Sequence, residues 1–206
     1  MEIEIGFMPK KWISDIPDAG GYFPFAIDGK TMYVVDFLFD TVDPNEFIPG
    51  WMFQLNKFPI YIYVEIFEFQ TEELEQDFKV HNVEYKAVEI GKKYDKAYKA
   101  TIENGEQFKV IFPYLYGNGS MNNLALWSLQ KDVFSFGKRD FKTLFGRKKV
   151  LTPIVCLENN DCVFWVGYDG QNIVAISNNK LFSSVDSISN QFPPKTNIIT
   201  AEYEED

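Results

Sequence analysis

Two carboxylates interrupt the most apolar stretches of this chain. Asp36 lies within Thr31–Phe39 and Glu65 within Pro59–Phe69. Burial raises the pKa of a carboxyl group, and paired acids in different surroundings can divide general-acid and general-base roles. Side-chain alternation sets these two apart. Glu65 shares a strand face with Tyr61, Tyr63, Phe67 and Phe69, whereas Asp36 is on the Met32, Val34 and Leu38 side, opposite the aromatic face of its own strand. With the two strands as neighbours and their aromatic faces together, the acids fall on opposite sides of the sheet. Each is therefore expected to face water at a strand end or to bond a nearby Tyr or Lys. An aromatic-walled pocket around Asp36 or Glu65 is the alternative.

Other chemistry is sparsely provided. His81 is the only histidine, set in a polar connection, and no Gly-x-Ser-x-Gly elbow occurs, so no nucleophile–base pair is readable. Cys156 and Cys162 are separated by five residues, outside zinc-knuckle spacing, and read as two small thiols, with a cross-link between facing strands as the alternative. With one His and two Cys, no metal site and no cofactor is expected. Gly117-Asn118-Gly119-Ser120 reads as a chain break at the start of a helix, where an anion could sit, but the chain has no Walker motif and no G-x-G-x-x-G after a strand.

The segment Asp40–Phe53 is the most suggestive. Acids stand beside Phe47, Ile48 and Trp51 in a connection stiffened by Pro44 and Pro49. Read as a loop, it presents apolar anchors with a charged rim, so Asp43, Glu46, Phe47, Ile48 and Trp51 form a candidate partner-binding surface, with at least one of the three apolar groups expected in solvent. The competing reading tucks Trp51 and Phe47 into the core.

Charge is distributed unevenly. The chain carries a net −10 overall: −11 over residues 1–77, +7 over 78–150 and −6 over 151–206. An acidic total argues against direct nucleic-acid binding and suits a basic protein partner. The basic stretch Lys138–Lys149 reads as a solvated helix end. No apolar run reaches the ~18 residues a membrane helix needs, and the acidic start Met1-Glu2-Ile3-Glu4 is unlike a secretory signal. The expectation is a cytoplasmic protein without membrane association.

The elements that must position these groups read as an α+β fold, mainly antiparallel. Strands are expected at Thr31–Phe39, Pro59–Phe69 and Val83–Ile90, and β-hairpins at Asn104-Gly105 and Asp169-Gly170. Strands are also expected on both sides of the turn Glu158–Asp161. Helices, three to four and segregated from the strands, are expected after Thr71, from the Gly117–Ser120 break through Phe136, over Arg139–Phe145, and after Ser183 or Ser184. Residues 1–206 read as a single compact domain, with two lobes meeting near 117–119 as an alternative and 202–206 as a frayed acidic tail. At 46% hydrophobic and 24% charged residues the composition is that of a globular chain, unusual only in its 17% aromatic content.

On these grounds the expected function is that of a non-enzymatic acidic binding protein engaging a basic protein partner, of inhibitor, immunity or phage-antagonist type. The alternatives are an enzyme or small-ligand binder using Asp36 or Glu65, and a structural or assembly subunit.

Overall fold

The structure is a computed structural model that describes residues 2–9, 23–89, 95–143 and 146–203. In chain order the elements are β1 (Glu2–Phe7), β2 (Ala26–Gly29), β3 (Tyr33–Leu38), α1 (Pro44–Leu55), β4 (Ile60–Phe67), α2 (Thr71–Val80), β5 (Glu84–Val88), β6 (Asp95–Ile102), α3 (Gly105–Ser120), β7 (Ala125–Leu129), β8 (Phe134–Thr143), β9 (Gly146–Leu157), β10 (Cys162–Val166), β11 (Asn172–Ser177), α4 (Val185–Ser189) and β12 (Asn197–Ala201). Nine strands form one sheet in the order β12-β1-β3-β11-β10-β7-β4-β6-β5, and β2-β9-β8 form a second. Among the described residues, only β1·β12 and β2·β9 pair in parallel. The class is α+β, as the sequence implies.

Three layers result. Even-numbered Ile60, Ile62, Val64 and Ile66 of β4 join Trp127 of β7 and Phe164 of β10 beneath the helices, while Tyr63, Leu126 and Trp165 pack with Ile27, Phe134, Val155 and Leu157 of the small sheet. Because both faces are covered, β7, β10 and β11 are buried at every position, and β10 reads as a continuous apolar run.

The segment read as a loop at 40–53 is the start of a helix. Asp43 Oδ1 accepts the Asn45 N–H at 2.9 Å and Pro44 occupies the first turn, so the residues that resemble a turn are an N-cap and its proline. Asn56, at φ 48°, ends the helix. Phe47, Ile48, Trp51, Met52 and Leu55 then form one buried stripe.

The hairpin expected at Asn104-Gly105 is likewise replaced by a helix. Asn104 Oδ1 accepts the Gln107 N–H at 3.0 Å, capping α3, whose Phe108, Ile111, Phe112 and Leu115 face the core. Gly117–Ser120 therefore closes α3 rather than opening a helix, and the residues read as a lobe boundary lie inside it. The helix expected through Phe136 is two strands instead. Leu126 and Leu129 belong to β7, Phe136 belongs to β8, and Gln130 between the strands has φ 62°. The basic stretch is not a short helix either: β8 and β9 form a hairpin with Lys138 opposite Leu151 and Thr143 opposite Gly146. Leu144 and Phe145 of that expected helix lie outside the described residues, as do residues 204–206 of the tail.

At Asp169-Gly170 the hairpin is present. β10 and β11 pair antiparallel from Val166↔Ile173 to Cys162↔Ser177, and both turn residues have positive φ. The strands flanking Glu158–Asp161, by contrast, enter different sheets.

Two glycines of α3 give opposite expectations. A Cβ on Gly119 would lie 2.5 Å from Val166 Cβ, whereas a Cβ on Gly117 would meet nothing within 4 Å. Gly119→Ala is expected to cost about 1–3 kcal/mol by forcing α3 off β10. Gly117→Ala is expected to stabilise by about 0.5–1 kcal/mol through helix propensity. Urea titration of the two variants checks both signs.

Candidate functional site

Asp36 and Glu65 are both buried, at 4% and 7% exposure. Asp36 Oδ1 accepts the Asn172 amide of β11 at 2.6 Å, and Oδ2 accepts the Tyr203 hydroxyl. The Tyr203 ring lies over Gly6, the β1 residue opposite Asp36, where a Cβ would collide with it. Glu65 accepts the Tyr63 hydroxyl at 3.2 Å. Burial, and then the carboxylate beside it, push the Tyr63 phenol up.

The two acids lie on the same side of the large sheet, the side covered by the small sheet, which corrects the alternation argument. β3 turns its aromatic face, with Phe37, toward the helices, while β4 turns Tyr61 and Tyr63 toward the small sheet. They are nevertheless not a pair. β11, β10 and β7 separate β3 from β4, which at about 4.8 Å per strand places the carboxyls roughly 19 Å apart across the sheet. Carboxylate pairs of glycosidase type need about 5–9.5 Å.

Desolvation raises the Asp36 pKa from its ordinary 3.8, outweighing the lowering effect of the Tyr203 and Asn172 hydrogen bonds, with Glu4 adding to the rise. A raised folded-state pKa means that the native state holds this proton more tightly than the unfolded chain. Its contribution is present below the ordinary carboxylate range and is lost as pH rises through the folded value. Asp36→Asn keeps the shape without the charge. Its melting temperature is expected to match wild type near pH 3 and to exceed it at pH 7, as measured by thermal melts across that range.

The other singled-out groups lie apart from both acids. His81 caps the C-terminus of α2, and its carbonyl accepts Gln107 Nε2 at 2.9 Å. Cys156 and Cys162 are free thiols, and burial pushes the Cys162 thiol up. Among the described residues, no three His, Cys, Asp or Glu side chains gather as a metal site. A polar cleft of about 210 Å³ at the β4-β6-β5 edge is occupied on one wall by the ion pair of Lys99 with Asp132 at 2.5 Å.

Phe47, Ile48 and Trp51, expected to include an exposed anchor, are 2%, 0% and 0% exposed. They are core residues, because the segment is helical and they make up its buried stripe. The opposite stripe of α1 faces outward. Glu46, Gly50 and Phe53 recur at i, i+4 and i+7, and Phe53 is 67% exposed. With Gly105 and Glu106 of α3 they line a groove of about 480 Å³. Phe53 leans on the bare backbone of Gly105, where a Cβ would lie 2.5 Å from its Cδ2. Pro49 and Gly50 add to its apolar lining, and Asn45, Glu46, Glu106 and Lys109 supply its polar lining. Asp43 is exposed one turn before it, engaged as the N-cap.

The groove opens onto an acidic layer. Residues 43–57, 68–80 and 103–120 hold nine acids against three lysines. Glu75 and Asp77 are drawn inward by the hydroxyls of Tyr98 and Tyr114, at 2.5 and 2.7 Å. Asp43, Glu46, Glu68, Glu72, Glu73, Glu103 and Glu106 remain exposed. Sequence reasoning missed Phe53, Gly105, Glu106 and Lys109. A helical reading of 44–55 finds Phe53 at once, as the large apolar group on the polar stripe.

The chain matches no protein-family model, no curated protein and no solved structure. The functional reading therefore rests on the geometry.

Proposed function

We propose that this chain is a binding protein whose acidic helical layer receives a basic protein partner, with the α1–α3 groove as the anchoring point. The observation that carries this reading is Phe53, a large ring left 67% exposed in a groove that Glu46 and Glu106 also line. Apolar centres ringed by charge are the usual anatomy of a protein-recognition site. The surrounding acids supply long-range attraction for a basic surface and repel phosphate backbones. No step of this reading needs turnover, cofactor or metal.

The test is retention of a basic protein on the immobilised chain, compared with Phe53→Ser and with Glu46→Lys/Glu106→Lys, over a salt titration. Retention that weakens with salt, and is lost in both variants while their melting temperatures hold, supports the reading. Retention unchanged in both variants removes it.

One observation favours a second reading, a small-ligand or catalytic site on the other face of the sheet. Asp36 is a buried carboxyl with a raised pKa, held by Tyr203 and Asn172. Such groups recur at functional sites. Loss of a ligand-induced thermal shift in Asp36→Asn, within a screen of small metabolites, is the outcome that supports it.

A further inference from the structure

The α1–α3 groove sets an exposed aromatic ring beside carboxylates from two helices. Its large ring is fixed from behind. Phe53 rests against Gly105, whose missing side chain lets the ring sit directly on the α3 backbone, and most of the remaining ring surface is open. Two carboxylates, Glu46 on α1 and Glu106 on α3, line the same cavity from different helices, against one cation, Lys109. The space of about 480 Å³ is ample for one long side chain.

We propose that this groove selects arginine: a partner's guanidinium stacks on Phe53 and donates to Glu46 and Glu106. The inference rests on the acidic-docking reading above and names the side chain that reading leaves open. A guanidinium is planar, weakly hydrated and forked, so it can lie flat on a ring while its edge N–H groups donate in pairs to carboxylates. An ammonium is compact and strongly hydrated, and it offers neither the flat face nor the fork. A groove that supplied charge alone would bind both. One that adds a fixed ring face between carboxylates on two helices rewards the planar cation. Lys109 works against any cation, which leaves more of the discrimination to the ring and the paired carboxylates.

The experiment uses the full chain and two capped peptides of equal length, one alternating glycine with arginine and the other glycine with lysine, titrated by calorimetry at low salt. The expected result is binding of the arginine peptide about threefold or more tighter than the lysine peptide. The preference is retained in Phe53→Tyr, which keeps the ring, and abolished in Phe53→Leu, which keeps apolar bulk without it. Equal affinity for the two peptides, weakened for both by Glu46→Gln/Glu106→Gln, overturns the arginine inference and leaves acidic docking standing. Binding of neither peptide, by a chain that still retains a basic protein in the salt titration, also overturns it. Failure of both measurements overturns the docking reading as well.

Discussion

Trp51→Ala is expected to lower the melting temperature by on the order of 10 °C while leaving partner affinity unchanged. The indole is fully buried, with ring centroids of Phe192 at 4.9 Å, Phe37 at 5.1 Å and Phe164 at 5.5 Å. Deleting a side chain of this size from a packed core costs about 3–5 kcal/mol, transfer and cavity effects together. In a chain of this length each kcal/mol is worth about 2–4 °C. One offset is available. Among the described residues Trp51 Nε1 has no hydrogen-bond partner, so the substitution also removes a buried donor worth about 1–3 kcal/mol. The expected loss therefore sits toward the lower end of the range, and a scan at neutral pH measures it. A melting temperature unchanged in Trp51→Ala would mean that α1 is not packed as described.

Phe53→Ala is expected to do the reverse. Two residues along the same helix, it removes the exposed anchor and should cost at least about 2 kcal/mol of partner affinity, roughly thirtyfold in Kd. Stability should move by no more than about 0.5 kcal/mol, since the ring is 67% exposed. The rim behaves differently. Glu46→Lys with Glu106→Lys should act mainly on the association rate and most strongly at low salt, because exposed charges steer the encounter. Stopped-flow measurement at two ionic strengths separates the anchor from the rim. If Phe53→Ala instead melts early and binds normally, its ring is packing against Gly105 and nothing more.

The contrast between Trp51 and Phe53 shows where the sequence was legible and where it was not. Long runs of β-branched and aromatic residues, such as β4, and the Asp169-Gly170 turn with its positive φ at both residues, could be read directly. So could the inward pair Leu74 and Phe78 of α2, and the Ser184 cap of α4. The failures share a cause. Asp43-Pro44 and Asn104-Gly105 are turn signals and helix-start signals alike, since both uses exploit a short polar side chain bonding a nearby backbone N–H. Only the spacing of the apolar residues downstream decides between them: Phe47, Ile48, Trp51 in one case and Phe108, Ile111, Phe112 in the other. β7 failed for another reason. Buried on both faces, it has no alternation, and Leu126 and Leu129 imitate a helical stripe that continues into a different strand.

For the candidate site the same error had a direct effect. A loop reading makes Phe47, Ile48 and Trp51 equally available to a partner, whereas a helix divides the segment into faces and sends Phe53 outward. The acids Glu46 and Asp43 were legible because charge needs no register to be assigned to the surface. The relation between Asp36 and Glu65 was not legible, because which face of each strand meets the helices is decided by packing partners far away in the chain.

Strand order carries a consequence for how the chain is made. β1 and β3 form one block of the large sheet, β7, β4, β6 and β5 form another, and the β10–β11 hairpin lies between them. β7 presents an open hydrogen-bonding edge until β10 has left the ribosome and β3 until β11 has, and Glu2 waits for its neighbour Asn197 longer still. Long-range pairings of this kind slow folding, and open edges in the interval invite pairing with other chains. Nascent chains stalled before β10 therefore hold two unpaired strand edges open to other chains.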